Sequence, residues 1–330
     1  MTTTPSTEHD AAALGFAPLG DKPLSLAMVG MVEGNGHPYS WSAIFNGYDA
    51  VAMAQCPYPA IPDYLGRQPK GTLGIPGARV THIWTDDAAD AAAVARASLI
   101  PNLAEAPEEV IGQVDAVIIA TDIGHEHVTR CRPFVEAGVP VFVDKPLVDN
   151  ARDLAQFRAW HEAGRAILSS SCMAYAKEFL PWRESTHDLG ALRFAAITTM
   201  KSWERYGIHA LSAIYPLFGP GFLHARHCGT PAHNVVVFTH ACGAEAVVAA
   251  VDDMYGGFGK LLLCGTRGSA QAEFSDTFYA FKAQLLDFVH FLRTGRRHTS
   301  FSETEELMRM LIAGIRSREE GGRTVALEEI

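Results

Sequence analysis

An α/β protein in two parts is predicted: a doubly wound parallel sheet, then an α+β domain with a large, open, mainly antiparallel sheet. Three observations predict it. A short apolar run, Leu24 to Met31, leads into a glycine-rich turn. Apolar runs and helical patterns then alternate to about residue 172, the rhythm of parallel strands joined by crossover helices. Beyond that point strands follow one another with few helices between them.

The first run suits a buried parallel strand, which is covered on both faces and reads as a continuous apolar stretch. Gly30 closes it, and Glu33-Gly34-Asn35-Gly36-His37 turns the chain. Pro38 suits a first helical position, so Tyr39 to Phe45 is expected as a short helix ended by Asn46-Gly47. From 47 to 77, Pro57, Pro59, Pro62, Pro69 and Pro76 join Gly71, Gly74 and Gly77 in breaking every period. That predicts a long insertion loop with room for one helical turn, and such loops are often functional. Strands follow at 79–84, 116–120, 139–143 and 166–169. Helices are expected at 86–97, 126–137 and 150–163, with a shorter one at 107–111. In the second part, 192–200, 235–239, 246–251, 260–264 and 270–274 read as strands, and 278–293 and 303–318 as amphipathic helices. The expected division is a flexible tail over 1–23, a dinucleotide-binding domain over 24–172 and a substrate and oligomerisation domain over 173–330.

Composition narrows the function. The chain has 330 residues, 48% hydrophobic and 19% charged, enough apolar material for two cores. A net charge of −10 argues against a nucleic-acid or acidic-membrane surface. No apolar run reaches the roughly 20 residues of a membrane span. The start, Met1 to Asp10, lacks the order of a secretory signal, so the cytoplasm is expected. Six scattered cysteines without Cys-x-x-Cys spacing read as free thiols rather than disulfides or a zinc site. His125-Glu126-His127 is likewise a poor chelate, and no metal is expected.

The turn after the first strand is the natural place for a phosphate, because backbone N–H groups and a helix N-terminus converge there. The Rossmann fingerprint G-x-G-x-x-G is imperfect: the glycines fall at 30, 34 and 36, and Val32 stands at the second position. Gly30, Gly34, Asn35 and Gly36 are the candidate cofactor residues. The ribose corner, at the end of the second strand, is Thr85-Asp86-Asp87. Thr85 and Asp86 are candidates there, although capping of the next helix would explain them equally. Two carboxylates repel a 2′-phosphate, so NAD is expected over NADP.

The stretch Asp115 to Thr121, then His127, then Glu136-Ala-Gly to Val143-Asp144-Lys145-Pro146, resembles the glucose–fructose oxidoreductase, inositol dehydrogenase and rhizopine catabolism family. That family reads A-T-P-x-x-x-H, a helix ending E-A-G, a strand, and E-K-P. Here Asp122 replaces the Pro, one extra residue precedes His127, and Asp144 replaces the Glu. The string alone means little, since Asp21-Lys22-Pro23 also occurs in the tail. Further on, Gly207 and His209 match the family's D-x-G-x-H, but Arg205 stands where the Asp belongs. The resemblance covers nearly the whole chain from Leu24, interrupted by 47–77.

It implies a nicotinamide-dependent oxidoreductase acting on a hydroxyl-bearing carbon of a sugar, cyclitol or derivative. Lys145 would polarise the substrate oxygen and His209 would transfer the proton, chemistry for which an ammonium and an imidazole are suited. Thr121, Asp122, His127, Asp144 and Pro146 would line the cofactor, with Asp144 holding Lys145 or the nicotinamide ribose. Lys145 precedes a proline, which favours an extended backbone and admits a cis bond. Arg205 cannot accept a proton and points instead to a substrate carboxylate or phosphate. Tyr206 or Glu204 would then take the missing Asp's role. Tyr175 and Lys177 are substrate-binding candidates, and Trp203 either stacks on a sugar ring or belongs to the core. The resemblance also implies a homodimer or homotetramer through the C-terminal sheet. Two other functions fit it: a dinucleotide-binding, sugar-sensing regulator without turnover, and an NAD-dependent glycosidase.

Overall fold

The computed structural model describes residues 16–330. The first sheet contains β1 (Leu24–Val29), β2 (Ala78–Trp84), β3 (Asn102–Leu103), β4 (Ala116–Ile119), β5 (Val141–Val143) and β6 (Ile167–Ser169). Its order is β3-β2-β1-β4-β5-β6 and every pairing is parallel. This is the doubly wound order that leaves a crevice where the direction of winding reverses, between β1 and β4. The central strands are almost wholly apolar because helices cover both faces. Leu26, Met28, Val117, Ile118 and Phe142 are fully buried.

The crossover helices lie close to their expected bounds: α1 (His37–Asn46), α4 (Ala88–Ala97), α5 (His127–Glu136) and α6 (Ala151–Glu162). Asp87 caps α4 by accepting from the Ala89 amide, and Asn150 caps α6 from Asp153. The expected loop over 47–77 needs correction, since it holds two short helices, α2 (Ala50–Met53) and α3 (Ala60–Gly66). The side chain of Asp49 caps the first and Pro59 opens the second. Met53, Ile61 and Leu65 are buried, so the segment has a small apolar face of its own.

The tail expected over 1–23 lies partly outside the described residues. Of the part described, the Leu19 amide donates to Leu292 O and the Phe16 ring sits 5.5 Å from Phe291. This stretch is docked onto the molecule, contrary to a loose tail.

After α7 (Leu180–Glu184) comes the second sheet. It is built from β7 (Leu192–Met200), β8 (Phe222–His227), β9 (His233–His240), β10 (Glu245–Val251), β11 (Lys260–Gly265), β12 (Ser269–Glu273) and β13 (Val325–Ala326). Its order is β12-β11-β7-β10-β9-β8-β13, antiparallel except for the β7–β10 pair. Burial alternates along β7, β9 and β10, as expected when one face is covered. That cover includes α8 (Ile208–Phe218) and α10 (Phe301–Glu319), while α9 (Thr277–Thr294) packs towards the first sheet, where Phe288 meets Phe142. Among the described residues no helix is long and apolar enough to cross a membrane.

Candidate functional site

The carboxyl ends of β1, β4 and β5 converge on one buried cluster. Lys145 lies just beyond β5, before a cis bond to Pro146, and is 2% exposed. Its Nζ donates to Arg205 O at 3.1 Å and to Asp122 Oδ2 at 3.3 Å, and lies 4.5 Å from the centre of the Tyr206 ring. Burial pulls the Lys145 pKa down, but Asp122, Tyr206 and Asp144 outweigh it and leave it raised, so the ammonium persists at neutral pH.

Asp122 follows β4 and is 2% exposed. Arg205 grips it in fork geometry, Nη2 to Oδ1 at 2.7 Å and Nε to Oδ2 at 3.1 Å. Burial pushes this carboxyl up, yet Lys145 and Arg205 together hold it at about 2. The two departures from the family pattern thus meet in space. The residue that replaces an acid is paired with an acid that replaces a proline. Arg205 Nη2 also donates to Glu33 O at 3.1 Å, so Nε and Nη2 of its guanidinium are both engaged within the protein.

Asp144 is fully buried and does not bond the Lys145 ammonium. Its Oδ1 accepts from the Lys145 backbone amide at 2.7 Å, and its Oδ2 lies 2.9 Å from Asn35 Nδ2 and 2.5 Å from His37 Nδ1. Asn35 also donates to Ala120 O and accepts from the His37 amide, tying the glycine turn to β4.

His209 faces this cluster from the start of α8. It is 4% exposed, with Nδ1 2.8 Å from Ser171 Oγ and its ring 5.1 Å from that of Tyr206. Burial, then the charges of Lys145, His37 and Lys201, hold its pKa well below the ordinary value, so it is neutral at pH 7. A π-helical turn, Trp203–Gly207, precedes α8. It directs Arg205 and Tyr206 toward Lys145 and Trp203 the other way. Trp203 is core: it is 1% exposed, and its indole N–H donates to Leu311 O at 2.9 Å. The alternative of sugar stacking is set aside for that reason. Lys201, at a positive φ of 59°, donates to the Tyr206 hydroxyl at 2.7 Å. A non-glycine residue in that region is strained, and such strain collects at functional sites. Glu204 pairs with Arg318, away from the cluster.

Tyr175 and Lys177 stand against α9 rather than against Lys145 or His209. The Tyr175 hydroxyl donates to Asp287 at 2.7 Å, and Lys177 pairs with Asp276 at the surface. His127 is fully buried and braces two loops, with ring nitrogens 3.0 Å from Leu147 O and 2.9 Å from Thr121 O.

At the other end of the crevice, Gly30 adopts φ 85°. A Cβ there would lie 2.7 Å from Thr121 Cγ2 and 3.5 Å from Arg130 Nη1. Gly34 abuts Arg205, and Gly36 abuts Tyr58 and Ile61 of the 47–77 segment. Asp86 pairs with Arg130 at 3.1 Å, and Thr85 donates to Asp87 O at 2.5 Å. Arg130 is a cation at the ribose corner that the sequence reading missed; its only signal was Glu126 four residues before it. His37 was missed as well, read only as part of a turn.

A dinucleotide fits these residues on two observations. Thr121 Oγ1 is buried with no partner, and beside it Gly30, at φ 85°, lacks the Cβ that would lie 2.7 Å from Thr121 Cγ2 and fill the crevice.

Residues 64–169 match the family described as an oxidoreductase family with an NAD-binding Rossmann fold. No curated protein matches the chain by sequence. Three solved structures share its fold at low identity. A putative myo-inositol dehydrogenase from Sinorhizobium meliloti is 16% identical at a TM-score of 0.70, over 92% of this chain and 99% of that one. A myo-inositol 2-dehydrogenase from Lactobacillus plantarum is 14% identical at 0.73, over 92% and 99%. An oxidoreductase from Agrobacterium radiobacter, in complex with NAD+, L-tartaric acid and magnesium, is 14% identical at 0.72, over 93% and 99%.

Proposed function

We propose, from the premise that this chain carries the NAD-binding Rossmann domain of the glucose–fructose oxidoreductase, inositol dehydrogenase and rhizopine catabolism family of oxidoreductases, that it oxidises a CH–OH carbon of a cyclitol or sugar. The observation that carries the reading is the buried ammonium of Lys145 at the mouth of the β1–β4 crevice, with a neutral imidazole facing it. NAD supplies the hydride acceptor when bound. Gly30, Asn35 and Thr121 would hold it. Asp86 and Arg130 would meet its adenosine end.

Lys145 orients the substrate hydroxyl and stabilises the alkoxide that develops as hydride leaves, an effect that is large in a buried site. His209, neutral and oriented by Ser171, takes the hydroxyl proton. The Asp122 carboxylate and the Arg205 carbonyl both accept from the Lys145 ammonium and hold it in place. Because Arg205 is already engaged, a neutral polyol is favoured over an acidic one. A homodimer or homotetramer through the open face of the second sheet belongs to the same reading, as does a cytoplasmic setting, which suits six free thiols.

The test is NADH formation with NAD and a panel of cyclitols and sugars, beginning with myo-inositol and including aldonic acids. Turnover of a neutral polyol is expected. Lys145→Ala is expected to cut it by roughly a hundred- to a thousandfold, the scale of a transition-state charge partner, while NADH still binds. Undiminished turnover in that variant would end the assignment of Lys145. Product formation without net NADH would point to borrowed hydride and a glycosidase.

A further inference from the structure

We propose that His37, held by Asp144, carries the reaction proton between the interior of the site and solvent. The inference rests on the oxidoreductase reading above and adds a residue to it.

The balance of the reaction demands such a group. The electron pair of the C–H bond leaves with the hydride, and the O–H pair becomes the second bond of the carbonyl. The proton remains, and must end on water. His209 can receive it on Nε2, but its imidazole is 4% exposed, bonded through Nδ1 to a neutral hydroxyl and faced by the Lys145 ammonium. A cation formed there has no carboxylate to balance it and no path outward of its own.

His37 has both. Its Nδ1 lies 2.5 Å from Asp144 Oδ2, and that carboxylate is fully buried. Asp144's other partners are the Lys145 amide and Asn35, which are neutral donors. The imidazole is therefore the ionisable partner this carboxylate hydrogen-bonds. A carboxylate on Nδ1 fixes the tautomer, leaves Nε2 as the working atom and stabilises the imidazolium once a proton arrives. The ring stacks on Trp41 at 4.3 Å and meets the edge of Phe281 at 5.1 Å, so it is oriented by packing as well. Its side chain keeps 14% of its surface, enough to meet water.

The groups around it are consistent with this role. Asp144 and Lys145 face it from the end of β5, Asp122 from the loop after β4, and His209 from α8; from α9 the apolar Phe281 packs against the ring. Two imidazoles thus share one cluster. His209 takes the proton from the hydroxyl and returns to neutrality by passing it on. His37–Asp144 accepts it as an imidazolium–carboxylate pair and releases it to water.

The experiment compares His37→Gln with the wild-type protein. NADH affinity is read by fluorescence, kcat and KM across pH with NAD and the polyol turned over in the panel, and recovery of activity with added imidazole. Expected are NADH affinity and KM within about twofold of wild type. The variant's kcat should fall about 100-fold at neutral pH, within the range of acid–base contributions, with partial rescue by imidazole. A kcat–pH profile parallel to wild type, or loss of NADH binding equal to the loss of kcat, overturns the proposal.

If the wild type reduces no NAD with any compound, the functional reading fails and His37 is judged separately, by nitrogen NMR of the histidine rings. A His37 ring that carries its proton on Nδ1 with Nε2 open to exchange with water, and loses that preference in Asp144→Asn, sustains the proton-carrying pair. A ring whose tautomer and exchange are the same in both proteins overturns it.

Discussion

Asp122 and Arg205 are better understood as one change than as two. They lie 83 residues apart in sequence; Arg205 alone would set a second cation beside Lys145, and Asp122 is the carboxylate with which both cations pair. Removing one member of a buried, hydrogen-bonded charge cluster costs several kcal/mol, roughly 3–5 in comparable pairs. Asp122→Asn is therefore expected to lower the unfolding free energy by that order at neutral pH, measured by urea denaturation. Replacing both, as Asp122→Leu with Arg205→Leu, should recover part of the loss; strictly additive losses would deny the coupling. The pH dependence follows from the same carboxyl. Its folded pKa, about 2, lies below the unfolded value, so its contribution is fully present above roughly pH 4 and is lost as pH falls toward 2. The Asn variant should lack that portion of the acid transition. The sequence pointed to Lys145 through the strand and helix that precede it, and it marked Arg205 as anomalous. It could not pair Arg205 with Asp122, because a fork between a loop after β4 and a turn before α8 leaves no periodic trace. His37 was hidden for the same reason: its partner Asp144 is 107 residues away.

At the scale of elements, regular periods were legible and short capped pieces were not. β7 was predicted over its full extent because its burial alternates strictly. β8 was not, since Gly219-Pro220-Gly221 and the polar run His224-Ala225-Arg226-His227 mask the alternation. The 47–77 segment misled in a different way. Pro59 and Pro62 read as breakers, but a proline in the first turn of a helix is tolerated, and both stand at the start of α3. The outcome matters for function, because this segment buttresses the glycine turn. A Cβ on Gly36 would lie 2.7 Å from the Tyr58 ring and closer still to Ile61. The Gly36 φ is −95°, so alanine there is not strained in its backbone and any penalty is one of contact. Gly36→Ala should thus push α3 off the turn, costing about 1–3 kcal/mol as overpacking does and weakening NADH binding. Tyr58→Ala together with Ile61→Ala in the same background should restore the affinity by making room. If Gly36→Ala binds NADH as wild type does, α3 has no part in shaping that turn.

The whole molecule joins its two sheets across the site and leaves one face of the second sheet open. Arg205 reaches Glu33 O, Lys201 lies 3.5 Å from Gly34 O, and Lys282 bonds Thr72 O, so residues beyond β6 hold the turn and insertion of the first part. On the second sheet, Leu261, Ile197, Val248 and Val236 form a cross-strand row that is buried. The row next to it, Leu262, Ala196, Val247 and Val237, is equally apolar, points to the opposite face and is only half-buried in a single chain. A contiguous apolar face of this kind is unusual on a soluble monomer and marks an interaction surface. Self-association through it, proposed above, would be isologous, with each copy presenting the same row. A charge in that row would then have to be desolvated twice, once in each copy, while leaving the helix-covered face untouched. Val237→Glu is expected to reduce the mass measured by light scattering to that of one protomer, with NADH affinity and far-ultraviolet circular dichroism unchanged. A wild-type protein that already runs as a single protomer at micromolar concentration would remove the case for this interface.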